Sequence, residues 1–172
     1  EISRGDWSSD VCSSDLGSDP NNVTLKVIDM LWKTEFKNRL RIIFGPGYLH
    51  NKEEIIQKYK GIETIFDCKD MALEIGNSSI VVTALGTTIQ DIEFYGKKSI
   101  IICNHEYDLD DYYYINKMSR LKSRMQCVGL WKNFNQDDLI KAIKDIDVLQ
   151  EAKIDKEKQW GNSWKKLLYI NN

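Results

Sequence analysis

Two short loops hold the residues best suited to binding chemistry. The first, Gly17-Ser18-Asp19-Pro20-Asn21, leads toward a helical stretch at Thr24; the second, Ala84-Leu85-Gly86-Thr87-Thr88, leads into a stretch that carries Asp91. In each, a small residue lets the backbone approach an anion. The first amides of the following helix lack a carbonyl of their own, and the helix dipole favours negative charge there. Thr87 and Thr88 add hydroxyl donors, and Asp91, one turn into its helix, can accept hydrogen bonds from a ribose diol. Such a pair of loops suits a nucleotide diphosphate better than a lone phosphate. Taken singly, each also reads as ordinary helix capping, and an acid in a first turn is stabilised by the dipole whether or not a ligand binds.

Loops of this kind need a strand before them and a helix after. Apolar residues at Val23, Val27, Ile28, Leu31 and Trp32 form a helical face, with Asp19-Pro20-Asn21-Asn22 supplying turn and capping chemistry ahead of it. Leu40 to Phe44 reads as a buried strand ended by Gly45-Pro46-Gly47. A helix at Lys52 to Tyr59, a strand at Ile62 to Phe66 and a helix from Asp67 or Lys69 to Ile75 follow. Ser79 to Ala84 is the clearest buried strand. It runs into Gly86-Thr87-Thr88 and a helix through Tyr95, and Ser99 to Cys103 makes the next strand. An acidic loop at Asp108 to Asp111, a helix to about Met125, a strand at Gln126 to Leu130 and a helix from Gln136 to Val148 complete the order. Regular alternation of strand and helix predicts an α/β fold, a Rossmann-like parallel sheet covered by helices on both faces.

The start of the chain is of another kind. Asp6 to Leu16, DWSSDVCSSDL, resembles the in-frame translation of a common short-read sequencing adapter, and Glu1 to Gly5 fit the same origin. Residues 1–16 are therefore read as non-native and native sequence as beginning at about Gly17, leaving an α/β domain over 17–148 and a helical tail over 149–172. The alternative is a polar, disordered N-terminus. Without residues 1–16 the formal charge of −2 becomes +1, because Glu1, Asp6, Asp10, Asp15 and Arg4 leave with them. On this reading the strand that should precede Gly17 is missing, and its neighbours carry an exposed pairing edge.

Composition excludes several classes. The longest apolar run, Ser99 to Cys103, stops at Asn104 and is far too short to span a membrane. Lysines and arginines are scattered among nearly equal numbers of acids, so no basic stripe for nucleic acid stands out. Cys68, Cys103 and Cys127 lack CxxC spacing and read as buried thiols in a reducing cytoplasm, with a catalytic thiol as the alternative. His50 and His105 stand in no metal-ligand spacing, so no metal or cofactor is expected. His105, after a strand, reads either as lining a cleft or as an ordinary surface histidine.

In their order, the two loops resemble the C-terminal half of a GT-B-type nucleotide-sugar enzyme. In particular they resemble the UDP-sugar hydrolases of pseudaminic acid synthesis and their relatives in spore-coat polysaccharide synthesis. The matching stretches are Gly17 to Leu31, Asp70 to Thr88 and Lys97 to Asn104. Family members carry Gly-Gly-Ser/Thr-Asp-Pro in the first loop, where this chain has Leu16 for the first glycine. The resemblance implies that Gly17, Ser18 and Asp19 meet phosphate, Gly86, Thr87 and Thr88 the diphosphate, Asp91 the ribose, and the backbone near Phe66 the uracil. Asp91 stands where the family has Glu, and Lys98 where it has Pro. The family's glutamine after the next strand has no obvious counterpart in His105 to Asp111.

The family's catalytic histidine lies in an N-terminal domain, so the resemblance implies a UDP-binding half of a cytoplasmic nucleotide-sugar hydrolase, inactive alone and partnered by that domain. A GT-B glycosyltransferase C-terminal domain is the second reading, and a non-catalytic nucleotide-sugar-binding module the third. Trp160, Trp164, Leu167, Leu168 and Tyr169 form a helical stripe in the tail. That stripe is expected to cross to the partner domain or to pack on this domain's own core.

Overall fold

The computed structural model describes residues 11–15, 19–66, 68–118 and 124–148. In chain order they form β1 (Val11–Asp15), α1 (Val23–Leu31), β2 (Leu40–Phe44), α2 (Lys52–Lys58), β3 (Glu63–Phe66), α3 (Met71–Gly76) and β4 (Ile80–Ala84). Then come α4 (Thr88–Tyr95), β5 (Lys98–Cys103), α5 (Glu106–Met118), β6 (Met125–Leu130) and α6 (Gln136–Asp147). The strands form one sheet in the order β3-β2-β1-β4-β5-β6, with every pairing parallel. The predicted α/β parallel sheet is what the chain forms.

Alternation along the strands explains the two covering layers. Ile80 and Val82 of β4 and Ile100 and Ile102 of β5 pack with Val27 and Leu31 of α1 and with Leu139, Ile143 and Ile146 of α6. The residues between them, Val81 and Ile101, face the opposite way onto Ile75 of α3, Ile89 and Ile92 of α4 and Tyr112 of α5. A third cluster joins Ile28 of α1, Ile42 and Phe44 of β2, and Ile55 and Tyr59 around α2. Thus α1, α2 and α6 cover one face and α3, α4 and α5 the other. Right-handed crossovers require this change of face where the chain reverses its direction of travel across the sheet.

Two expectations are corrected. The sheet does not lack its first strand: Val11–Asp15 lies at its centre, paired from Val11↔Leu40 to Asp15↔Phe44 on one side and from Val11↔Ile80 to Ser14↔Thr83 on the other. A parallel ladder is made by backbone groups that any non-proline residue supplies, so even the polar run Cys12-Ser13-Ser14-Asp15 can occupy the slot. The acidic loop expected at Asp108 to Asp111 is instead part of α5, which begins at Glu106 and ends at Met118. Carboxylates near a helix start are favoured by its dipole. Asp108, only 8% exposed, also accepts from the amides of Asn104 (2.8 Å) and His105 (2.9 Å).

Charged residues inside strands have partners. Arg41 of β2 is buried and meets Glu63 on β3 and Glu74 on α3, each at 3.1 Å. Lys98, where the resembling family has proline, donates to the carbonyl of Asp147 at 2.7 Å, tying the start of β5 to the end of α6. The N-terminus of α6 carries a reciprocal capping box between Asn135 and Asp138. The expected tail helix over 149–172 lies outside the described residues.

Candidate functional site

The strand order sets the site before any side chain is considered. The chain steps outward from β1 to β2 to β3, then returns past β1 to begin β4 and steps the other way to β5 and β6. The loops leaving β1 and β4 therefore diverge onto opposite faces from neighbouring strands about 5 Å apart. A crevice at such a switch point, outside the carboxyl ends of the strands, is where open α/β sheets bind ligands. The loop containing Asp19 follows β1 and the loop containing Gly86 follows β4, so the two predicted loops share one rim.

The two helix starts on that rim differ. At α1, Asp19 is buried and its carboxylate accepts from the amides of Val23 (Oδ1, 2.7 Å) and Thr24 (Oδ2, 2.9 Å). The chain's own anion occupies the place where a phosphate was expected. The amides of this helix start are not the open donors that the sequence predicts, because an acid four residues ahead of the helix folds back onto them.

At α4 no side chain caps the start. Ile89 and Gln90 close turns onto the carbonyls of Gly86 and Thr87, leaving the earlier amides in the position where a helix has no internal acceptor. Gly86 is exposed, and a Cβ added to it would meet no atom within 4 Å. Thr87 is exposed as well. Thr88 is 1% exposed, and its hydroxyl has no hydrogen-bond partner among the described residues. Buried polar groups are nearly always bonded, and this hydroxyl is an exception among the described residues. Asp91 sits half-buried in the first turn of the same helix.

The remaining predicted residues divide. Gly17 and Ser18 lie outside the described residues. Phe66 ends β3 on the same rim but at the edge of the sheet, beyond β2 and β1. Its ring stacks on Phe44 at 5.2 Å, and Lys52 Nζ lies 5.4 Å from its centroid.

Several rim contacts escaped the sequence reading. Asn21 donates to Asn104 after β5 at 3.3 Å, and Tyr48 donates to Asn22 Oδ1 at 3.1 Å. His50 Nε2 lies 2.7 Å from the Asp19 carbonyl; a carbonyl only accepts, so Nε2 carries the proton. These contacts span 26 to 83 positions of chain, and only the proline- and asparagine-rich turn hinted at them. His105 stacks on Tyr107 at 4.9 Å and is exposed, a surface histidine.

Farther along the rim, Cys103 at the end of β5 and Cys127 on β6 bring their sulfurs to 3.5 Å. The Cys103 thiol donates to Cys127, and the Gly129 amide adds a second donor at 3.3 Å. Against the opposing effect of burial, the two donors hold Cys127 down at about 7 while Cys103 is pushed up. Among the described residues no group of three or more His, Cys, Asp or Glu is disposed to hold a metal, and no helix is long and apolar enough to cross a membrane.

Residues 16–168 match the glycosyltransferase family 28 C-terminal domain. An uncharacterized protein of Methanocaldococcus jannaschii is 24% identical over 110 residues, which cover 60% of this chain and 23% of that protein. The chain thus spans about a quarter of that relative's length. The solution structure of ALG13 superposes with a TM-score of 0.56 at 15% identity, covering 93% of this chain and 94% of that one, a likeness of fold.

Proposed function

This chain belongs to the glycosyltransferase family 28 C-terminal domain family, and we propose that its switch-point rim holds the diphosphate of a nucleotide-sugar donor, with UDP as the nucleotide. The observation that carries the reading is the open start of α4, with Gly86 exposed and, among the described residues, no side-chain cap and no partner for the buried Thr88 hydroxyl. Amides at a helix start, a hydroxyl and a favourable dipole form an anion cradle. Asp91, one turn further in, faces the ribose. The neighbouring turn at Asp19 to Asn22 forms the other wall, with Gly17 and Ser18 ahead of it as donors to phosphate. Phe66, at the sheet edge, bounds the side assigned to the uracil.

The family match supports the glycosyltransferase reading better than the UDP-sugar hydrolase reading, which rests on the resemblance of the loop stretches alone. In a GT-B enzyme the donor half works with an N-terminal half, on the same chain or another, that supplies the acceptor site. The domain here binds donor and by itself transfers nothing. We also propose that residues 1–16 are adapter-derived: the family match begins at residue 16, and Cys12-Ser13-Ser14-Asp15 is a polar run in a slot where parallel sheets carry apolar ones.

Calorimetric titration with UDP and UMP tests the reading. UDP is expected to bind at least tenfold more tightly, equivalent to about 1.4 kcal/mol, because only it fills the cradle between the two loops. Equal affinity, or no binding of either, overturns it.

A further inference from the structure

The turn between β1 and α1 holds an unusual shape. Asp19 (φ 42°) and Asn22 (φ 51°) both stand in the left-handed region without being glycine, a conformation that persists only where surrounding structure imposes it. The Asp19 carboxylate, bound to the Val23 and Thr24 amides, closes the turn from inside. From outside, the β2–α2 loop imposes the rest. His50 donates from Nε2 to the Asp19 carbonyl at 2.7 Å, and the Tyr48 hydroxyl donates to Asn22 Oδ1 at 3.1 Å. Thus each left-handed residue takes one hydrogen bond from this single loop. The two braces also support each other, since the Tyr48 ring meets the His50 ring edge-on at 5.4 Å and packs on Phe44 at 4.7 Å. Tyr48 is 7% exposed, so the brace is anchored in the core.

We propose that His50, seated by Tyr48, is a positioning residue for the diphosphate: it touches no ligand but fixes the wall that faces the α4 cradle. The inference rests on the nucleotide-sugar reading above and adds that discrimination between UDP and uridine is set from the β2–α2 loop. A relaxed turn leaves the α4 cradle intact but removes its opposite wall, so the phosphates lose more than the nucleoside does.

The test compares UDP and uridine binding to the full chain and its variants by titration followed through amide shifts, with thermal unfolding as a control on folding. His50→Leu is expected to bind UDP about tenfold more weakly, the effect of one lost hydrogen bond propagated to the wall, with uridine affinity unchanged. His50→Gln, whose side-chain amide can donate to the same carbonyl, is expected to restore UDP binding. Tyr48→Phe keeps the ring and removes the hydroxyl that bonds Asn22, so a smaller loss is expected, and it keeps the test decisive if His50→Leu unfolds. UDP binding unaffected in folded His50→Leu, an equal loss of UDP and uridine, or no rescue by His50→Gln overturns the inference while leaving the function standing. A wild-type chain that binds no UDP removes the reading beneath it instead.

Discussion

At the start of α1 the amides of Val23 and Thr24 are closed by the Asp19 carboxylate, whereas at the start of α4, one strand away, the N-cap residue Thr87 makes no capping bond and Thr88 keeps a buried hydroxyl without a partner among the described residues. Both helices follow a parallel strand on the same rim, so the dipole argument treats them alike. What separates them is what already sits on the amides. A helix start whose donors are saturated from within serves as a wall, and its shape matters more than its charge. A helix start left open serves as a cradle. On the proposed reading the two kinds of role, shaping and binding, fall on adjacent strands because the topology reverses between them.

The contrast can be broken in several ways. Gly86→Leu puts a side chain into the space in front of α4, where a Cβ would meet no atom within 4 Å. UDP affinity is expected to fall about hundredfold, or about 2.7 kcal/mol, while stability moves by less than about 0.5 kcal/mol; parallel calorimetric and thermal titrations check both. Asp19→Ala uncaps α1 and is expected to lower stability by about 1–2 kcal/mol, measured by urea unfolding. It also frees the Val23 and Thr24 amides, so inorganic phosphate should stabilise this variant more than the wild type. If phosphate stabilises both equally, the carboxylate was not filling an anion site.

Thr88→Val gives opposite signs in two assays. Removing a buried hydroxyl with no internal partner is expected to raise the stability of the unliganded protein by up to about 1 kcal/mol. The same change should weaken UDP binding severalfold if the proposed ligand supplies that partner. A variant that gains stability and keeps its affinity would show the hydroxyl to be idle. The smallest effect belongs to Cys127, on β6, two strands from the switch point. Its alkylation by iodoacetamide should rise with pH to half its maximum near 7, where Cys103 and Gly129 hold its thiol, with Cys103 unreactive over the same range. UDP affinity should stay within about twofold, because the modified sulfur lies outside the rim between β1 and β4.

From Leu40 onward the strands were legible because β-branched runs such as Ile42-Ile43, Ile80 to Val82 and Ile100 to Ile102 are buried on both faces of the sheet and carry no competing helical period. Three features were not legible, for distinct reasons. Val11–Asp15 has neither apolar alternation nor a β-branched run, and its place at the centre of the sheet is made by backbone bonds to strands far along the chain. Substituting Ser13→Val and Ser14→Ile should raise stability by about 1–2 kcal/mol if this slot is filled as described, and thermal unfolding would detect it. Asp108 to Asp111 looked like a loop because three acids fall in a window of four, yet Asp108 turns back to cap Asn104 and His105. Asp19 was correctly read as capping chemistry, but that it takes up the Val23 and Thr24 amides depends on contacts of 2.7 and 2.9 Å that no spacing encodes. The brace from Tyr48 and His50 is likewise non-local, made where β2 happens to neighbour β1.

Backbone amide shifts of the isotope-labelled chain, followed on addition of UDP, test the central claim most directly. The largest changes are expected at Gly86, Thr87 and Thr88, with smaller ones at Asp19 to Asn22 and almost none at the capped Val23 and Thr24 amides. Changes concentrated at the opposite ends of the strands, or at Val23 and Thr24 in preference to Gly86 to Thr88, would contradict the account.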